Sequence, residues 1–175
     1  PGKVSFIVKE DSTIIADLNG KTSLGVGSAF KIAVLKTLKQ QITSGEKSWS
    51  DTVTLKNEDK SLPSGILQTW PEDSQLTLQT LASLMISMSD NTATDILIKQ
   101  VGKESIESIS SENNIPFLTT RELYGLKADS NRKLLQRYRE SDIKQRREIL
   151  VELANQPLPE VNEFIDTNPN ALDIE

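Results

Sequence analysis

The sequence predicts a mixed α/β (α+β) fold, with a small β-sheet part and a larger helical part. Two segments rich in β-branched residues come first, and apolar residues spaced three and four apart dominate the chain from residue 28 onwards. The 175 residues are the right number for one domain. We therefore expect a single domain over residues 1–175, with a hairpin at 4–18 and a helical region at 28–165.

The predicted hairpin pairs residues 4–9 with residues 13–18, and Glu10-Asp11-Ser12 can supply the turn between them. An isolated two-stranded hairpin is only marginally stable in water, and the sequence indicates no convincing third strand. Either the helices cover the hairpin or further strands lie beyond residue 175. The second alternative is favoured, because the chain stops without a closing signal. We therefore expect an incomplete domain that lacks its C-terminal strands.

The first two helices have recognisable ends. The first is predicted to begin at Ser28, directly after Gly27, and to end at Ser44-Gly45. The second is predicted to begin at Thr77, whose side chain can cap it. Their predicted buried faces consist of Val34, Leu35, Leu38 and Ile42 in the first helix and of Leu78, Leu81, Met85 and Met88 in the second.

A third helix is predicted after a break at Ser89-Asp90-Asn91, and Gly102 is expected to end it. Its inward residues are Ala93, Ile96 and Leu97. Shorter helices are predicted near residues 104–112, 119–127, 130–140 and 142–155. An irregular tail punctuated by Pro157, Pro159 and Pro169 follows them.

The composition excludes several classes of function. The chain has neither histidine nor cysteine, which removes the common transition-metal ligands, and we expect neither a metal nor a cofactor. Its net charge of −5 argues against a nucleic-acid partner, because phosphates would be repelled. No apolar run approaches the roughly 18 residues of a membrane span. The same composition restricts covalent catalysis to Ser, Thr, Lys or carboxylate chemistry.

The segment Ser28-Ala29-Phe30-Lys31 is the most informative motif. A hydroxyl and an amine three residues apart lie on one face of a helix, one turn from each other. A serine becomes a good nucleophile only when a neighbouring base takes its proton, and a lysine is one of the few bases this chain can offer. The alternative is a helix-capping serine followed by a solvated lysine.

The segment Ser89-Asp90-Asn91 is the second motif, and its serine lies 61 residues after Ser28. Ser, Asp and Asn are also the best helix-capping residues, so a plain cap is the alternative interpretation. Both motifs lie at helix boundaries, in an order and at a spacing that fit one kind of active site. The chain resembles the penicillin-binding serine hydrolases, specifically class A β-lactamases and their relatives. The resemblance extends over residues 4–118 and includes the run at 81–95.

The resemblance implies a β-lactamase/transpeptidase-like fold and a role for each motif residue. Ser28 would be the catalytic nucleophile that becomes acylated, and the catalytic Lys31 would hold or accept its proton. Ser89 would be catalytic as well, relaying a proton to the leaving nitrogen. Asn91 would bind the substrate amide and help to orient Lys31. Asp90 is expected to be structural and to bond backbone groups behind the site.

Two parts of the family pattern are missing from the sequence. No Glu-x-x-Leu-Asn occurs, although in the family its glutamate activates the water that removes the acyl group. Glu122 is the nearest carboxylate by position, but its surroundings are typical of an ordinary amphipathic turn. No Lys-Thr-Gly strand follows Asn91 either. The resemblance therefore implies slow deacylation and a chain truncated before that strand, and a C-terminal fragment could be a partner that completes the sheet.

The sequence thus predicts a serine hydrolase that forms an acyl-enzyme with β-lactams or with D-alanyl-type amides or esters. Its substrate would be a small molecule or a peptidoglycan-like peptide. The alternative is a catalytically weak or inactive binding or scaffold module with the same fold. By resemblance the protein would be periplasmic or extracellular, although no signal peptide is visible in this chain.

Overall fold

The computed structural model describes residues 2–22, 24–25, 27–62, 64–110 and 112–157. It begins with two antiparallel strands, β1 (Phe6–Glu10) and β2 (Thr13–Leu18), in which Phe6 lies opposite Leu18 and Glu10 opposite Thr13. The predicted hairpin is therefore confirmed.

The β1–β2 hairpin exposes apolar side chains on both of its faces. In a half-buried strand these side chains would alternate with polar ones, one face against the core and the other in water. Here the exposed fractions of the large apolar side chains in the two strands lie between 41% and 61%, which means that the described helices do not cover the hairpin. These side chains are Phe6, Ile7, Val8, Ile14, Ile15 and Leu18. Completion of the sheet by a C-terminal fragment stays a prediction.

The sequence indicated no further strand, and this was wrong. Two strands of three residues each, β3 (Thr52–Thr54) and β4 (Gln75–Thr77), form a second antiparallel pair in which Val53 lies opposite Leu76. Strands this short have too few residues to show a period of two, and about twenty residues of loop separate them. Their pairing places Thr77 where it can cap the next helix.

Seven α-helices follow among the described residues, and their order agrees with the prediction. They are α1 (Lys31–Thr43), α2 (Leu78–Ser87), α3 (Asn91–Val101), α4 (Lys103–Glu107), α5 (Thr120–Lys127), α6 (Arg132–Glu140) and α7 (Ile143–Ala154). A 3₁₀ turn, Gly27–Phe30, precedes α1, so the α-helix proper begins three residues later than predicted. The fourth helix is shorter than the predicted 104–112. Residues 158–165 of the predicted helical region, with Pro159 and Pro169 of the tail, lie outside the described residues.

Among the described residues, the larger of two hydrophobic cores lies between α1, α2 and α3. It includes Val34, Leu38, Leu81, Met85, Ala93, Ile96 and Leu97. Thr77 caps α2 as predicted, because its side chain accepts a hydrogen bond from the N–H of Thr80. Met88 was expected on the buried face but is 45% exposed. The reason is that α2 ends at Ser87, so the helical spacing no longer directs Met88 inward.

The smaller core lies between α5, α6 and α7. It consists of Leu126, Leu134, Tyr138, Ile149, Leu150 and Leu153. Two ion pairs connect this helical layer to α4, one between Lys103 and Glu122 and one between Arg147 and Glu107. Within the described part of the chain, no helix is both long enough and apolar enough to cross a membrane.

Candidate active site

The fold brings the two sequence motifs into contact where the start of α1 meets the junction of α2 and α3. Ser28 lies in the 3₁₀ turn before α1 and is exposed. The hydroxyl of Ser89 donates a hydrogen bond of 2.9 Å to Oγ of Ser28. The residue that caps α1 is Phe30, which makes no side-chain capping bond, so the interpretation of Ser28 as a helix cap is wrong.

Lys31 is buried, with an exposed fraction of 2%. Its ammonium group donates to the carbonyl oxygen of Ser89 at 2.6 Å, to Oγ of Ser89 at 2.9 Å and to Oδ1 of Asn91 at 2.8 Å. These three bonds use all three donors of the group. The alternative of a solvated lysine is therefore wrong, and the hydrogen-bonded route from Lys31 to Ser28 runs through the hydroxyl of Ser89.

Ser89 reaches both neighbours because its backbone is in the left-handed region, with φ of 55°. Such a conformation is uncommon for a residue other than glycine and costs about 1–2 kcal/mol, so its surroundings must hold it in place. It presents the carbonyl and the hydroxyl of Ser89 to the same ammonium group of Lys31. The strain therefore serves the arrangement of the site.

Asp90 lies behind the site, as the sequence predicted. It is fully buried, and Oδ1 accepts the N–H of Ala93 at 2.9 Å, which caps α3. Its Oδ2 accepts the N–H groups of Ile66 and Leu67 at 2.7 and 2.9 Å. The capping interpretation of the second motif thus holds for Asp90, while the residues on either side of it contact Lys31.

Asn91 is 4% exposed, and both ends of its side-chain amide are engaged. Besides accepting from Lys31, it donates a long hydrogen bond of 3.4 Å from Nδ2 to the carbonyl of Leu62. This geometry orients the ammonium of Lys31. The predicted contact between Asn91 and a substrate amide stays a prediction.

Burial lowers the pKa of Lys31 below its ordinary value of 10.5, because a charge is costly to hold away from water. The negative charges of Asp90 and Asp95 oppose this effect. Asp90 immediately precedes the first residue of α3, and Asp95 lies within the helix, in its second turn. The balance favours a lysine that releases its proton more readily than a solvated one.

Asp95 is a site-supporting residue that the sequence did not single out. Its carboxylate accepts the N–H of Thr120 at 2.7 Å and that of Arg121 at 2.9 Å, which ties α3 to the start of α5. Burial raises the pKa of Asp95 to about 6, and hydrogen bonds from Arg121 and Thr120 oppose the rise. Its place four residues after Asn91, on the same helix face, is the signal that could have found it.

Ser64 also supports the site. Its hydroxyl donates to the carbonyl of Ser89 at 2.8 Å. A second serine in the same region, Ser61, shares a hydrogen bond of 2.7 Å with Thr120. These contacts join residues far apart in the chain, so no local pattern indicates them.

Glu122 is engaged in structural contacts. Its carboxylate forms an ion pair with Lys103 at 2.5 Å and accepts the N–H of Thr119 at 2.8 Å, while its own N–H donates to the Thr119 side chain. This reciprocal pair caps α5. No group of three or more acidic side chains among the described residues is placed to hold a metal ion.

Comparisons with known proteins match most of this chain to one family. A family model described as the beta-lactamase enzyme family, Beta-lactamase2, matches residues 1–150. A solved beta-lactamase from Sphaerobacter thermophilus DSM 20745 is 31% identical, covering 60% of this chain and 39% of its own, with a TM-score of 0.56. Curated protein sequences give no match.

The structure of PBP-A is 20% identical, covering 78% of this chain and 56% of its own, with a TM-score of 0.51. A variant of PBP-A, solved as an acyl-enzyme complex with penicillin-G, matches to the same extent. At this identity the likeness shows the fold alone, and the chain spans between 39% and 56% of the length of these proteins. Because the family match covers most of its length and the fold agrees, the chain belongs to the beta-lactamase enzyme family.

Proposed function

We propose that the chain carries the acylating centre of a serine hydrolase that acts on β-lactams or on D-alanyl-type amides or esters. The observation that carries the proposal is the hydrogen-bonded chain from buried Lys31 through Ser89 to exposed Ser28. Family membership supports the general class of hydrolase. A buried amine with a lowered pKa supports the role of Lys31 as base.

In the proposed reaction Lys31 is neutral at the moment of attack. Its Nζ then accepts from Ser89 Oγ instead of donating to it, and Ser89 Oγ accepts from Ser28, which reverses both hydrogen bonds of the resting site. Ser28 passes its proton to Ser89, whose own hydroxyl proton moves to Nζ of Lys31, and Oγ of Ser28 attacks the substrate carbonyl carbon. The bond from that carbon to nitrogen or oxygen then breaks, and the proton returns through Ser89 to the leaving atom. A water molecule later cleaves the ester and releases the acid. Asn91 keeps Lys31 in line throughout.

We propose that the last step is slow. The sequence lacks Glu-x-x-Leu-Asn. The nearest carboxylate by position, that of Glu122, is already engaged in the cap of α5 and in an ion pair with Lys103. A water molecule without a positioned base attacks an ester poorly, since general-base catalysis contributes about 10²- to 10⁴-fold. The acyl-enzyme is therefore expected to accumulate.

Intact-protein mass spectrometry tests the proposal. The full chain is incubated with a penicillin for times from seconds to hours, and peptide mapping locates the adduct. We expect one penicilloyl group on Ser28, none in Ser28→Ala, and an unchanged yield in Ser83→Ala, a control at an exposed serine of α2. No adduct with any of several β-lactams would contradict the proposal and favour the binding or scaffold module. Fast turnover of a chromogenic cephalosporin would contradict the slow last step.

A further inference from the structure

Hydrogen bonds of its backbone connect the segment of residues 64–67 to the second motif. The N–H of Asn91 donates to the carbonyl of Ser64 at 3.0 Å, and Asp90 accepts the N–H groups of the two residues that follow Gly65. Gly65 has φ of 92°, and a Cβ placed on it would lie 2.2 Å from Oδ2 of Asp90. These contacts hold Ser64 beside Ser89.

The hydroxyl of Ser64 meets the site at one particular atom. It donates to the carbonyl oxygen of Ser89 at 2.8 Å, and the same oxygen accepts from Nζ of Lys31 at 2.6 Å. A carbonyl oxygen has two lone pairs, so the two donors together satisfy it. They fix the peptide plane that follows Ser89, the residue with the strained left-handed backbone.

From this geometry we propose that Ser64 is a positioning residue for the serine–lysine centre. Its hydroxyl holds the Ser89 carbonyl and thereby keeps Ser89 in the conformation from which Oγ reaches both Ser28 and Lys31. The inference rests on the proposed function, since it concerns how the proton route is kept aligned. Ser64 acts through Ser89 and has no contact of its own with the reacting atoms.

Loss of this hydroxyl has a defined consequence. Ser89 then keeps only Lys31 on its carbonyl, and its left-handed backbone can relax because one of the two bonds that oppose the strain is gone. A relaxed Ser89 misaligns the route between Ser28 and Lys31, and small misplacements of reacting groups are costly in rate. Because the proposed role of Ser64 is to align Ser89 for the chemical step, the affinity for substrate should change little.

The kinetic test separates acylation from binding. The rate of penicilloyl formation is measured against penicillin concentration for wild type, Ser64→Ala, Ser64→Thr and Ser74→Ala. We expect Ser64→Ala to lower the rate at saturation by about 10- to 100-fold, while the half-saturating concentration changes less than about threefold. Ser64→Thr, which keeps a hydroxyl, should restore most of the rate. Ser74 is the matched control, since its hydroxyl also donates to a backbone carbonyl at 2.8 Å, that of Pro71.

A spectroscopic readout decides the matter independently of activity. In ¹³C-labelled wild type the Cα and Cβ shifts of Ser89, assigned with Ser89→Ala, should be those of a left-handed backbone. In Ser64→Ala they should move towards values typical of negative φ, and in Ser64→Thr they should stay as in the wild type. Should Ser64→Ala not fold, Ser64→Cys keeps the volume and supplies only a weak donor.

Two results would overturn the inference. One is a Ser64→Ala variant that acylates within twofold of wild type, and the other is a Ser64→Ala variant in which the Ser89 Cα and Cβ shifts stay as in the wild type. If the wild type itself forms no adduct, the proposed function fails, and the Ser89 shifts alone then decide whether Ser64 positions Ser89.

Discussion

Asp90→Ala is expected to be among the most destabilising substitutions in this chain. The side chain is fully buried and accepts three backbone N–H groups, those of Ala93, Ile66 and Leu67. Loss of the helix cap costs about 1 kcal/mol. Each of the other two N–H groups is left without its acceptor, at about 1–3 kcal/mol apiece. The free energy of unfolding should therefore fall by about 3–7 kcal/mol in total.

Urea denaturation followed by circular dichroism measures this loss, and thermal melting gives a second reading. A chain of this size loses about 2–4 °C of melting temperature for each kcal/mol, so a decrease of about 6–28 °C is expected. Asp142→Ala is the matched control. Asp142 caps α7 by accepting the N–H of Gln145 at 2.8 Å, but it is exposed, so its loss should cost only about 1 kcal/mol.

The difference between the two variants is the decisive quantity, because both lose one helix cap. Asp90→Asn adds a further comparison, since its amide keeps one acceptor oxygen and should fall between wild type and Asp90→Ala. If Asp90→Ala costs no more than Asp142→Ala, the buried bonds to the 64–67 segment contribute nothing, and the reasoning is refuted.

Two further predictions concern the same region. Gly65→Ala should lower the free energy of unfolding by well over the roughly 1 kcal/mol expected for Gly45→Ala. Both glycines have positive φ, but of the two only Gly65 would place a Cβ against Asp90. Equal losses of unfolding free energy in urea denaturation would contradict this. Asp95 has its pKa raised to about 6 from 3.8, so the folded state binds this proton more tightly than the unfolded state does. The proton bound to Asp95 therefore stabilises the folded state fully below pH 4, and this stabilisation decreases by about 3 kcal/mol as the pH rises through 6. Asp95→Asn should lack this decrease in urea denaturation measured from pH 4 to 7. A ¹³Cγ titration of Asp95 with a midpoint near 4 would refute the assignment.

The parts of the fold that the sequence predicted are those specified by local patterns. The hairpin follows from two β-branched segments around a turn, and Thr77, Asp90 and Gly102 mark helix ends through capping chemistry that acts within one turn. The β3–β4 pair and the exposed Met88 were missed for the opposite reason. Three residues cannot display a period, and a helical period predicts nothing once the helix has ended.

The same distinction between local patterns and long-range contacts holds for the residues of the candidate site. Ser28, Lys31, Ser89 and Asn91 were found because their two motifs resemble those of a family, and the structure brings all four together. The residues that hold them in place were not found as such. Ser64 acts through a contact across 25 residues and Asp95 through contacts across 25 and 26 residues, and a one-residue contact of this kind leaves no periodic trace in the sequence.

The origin of the contacts around Lys31 indicates which part of the proposed acylation depends on residues of this chain. All three acceptors of its ammonium come from Ser89 and Asn91, and the acids that oppose its loss of charge are Asp90 and Asp95. Every one of these groups lies between residues 28 and 95, within the described core. The β1–β2 hairpin, whose apolar side chains are exposed, takes no part in these bonds. A further strand laid against the hairpin would therefore leave the base and its proton route unchanged. We expect it to affect how substrate is held, rather than how Ser28 is activated.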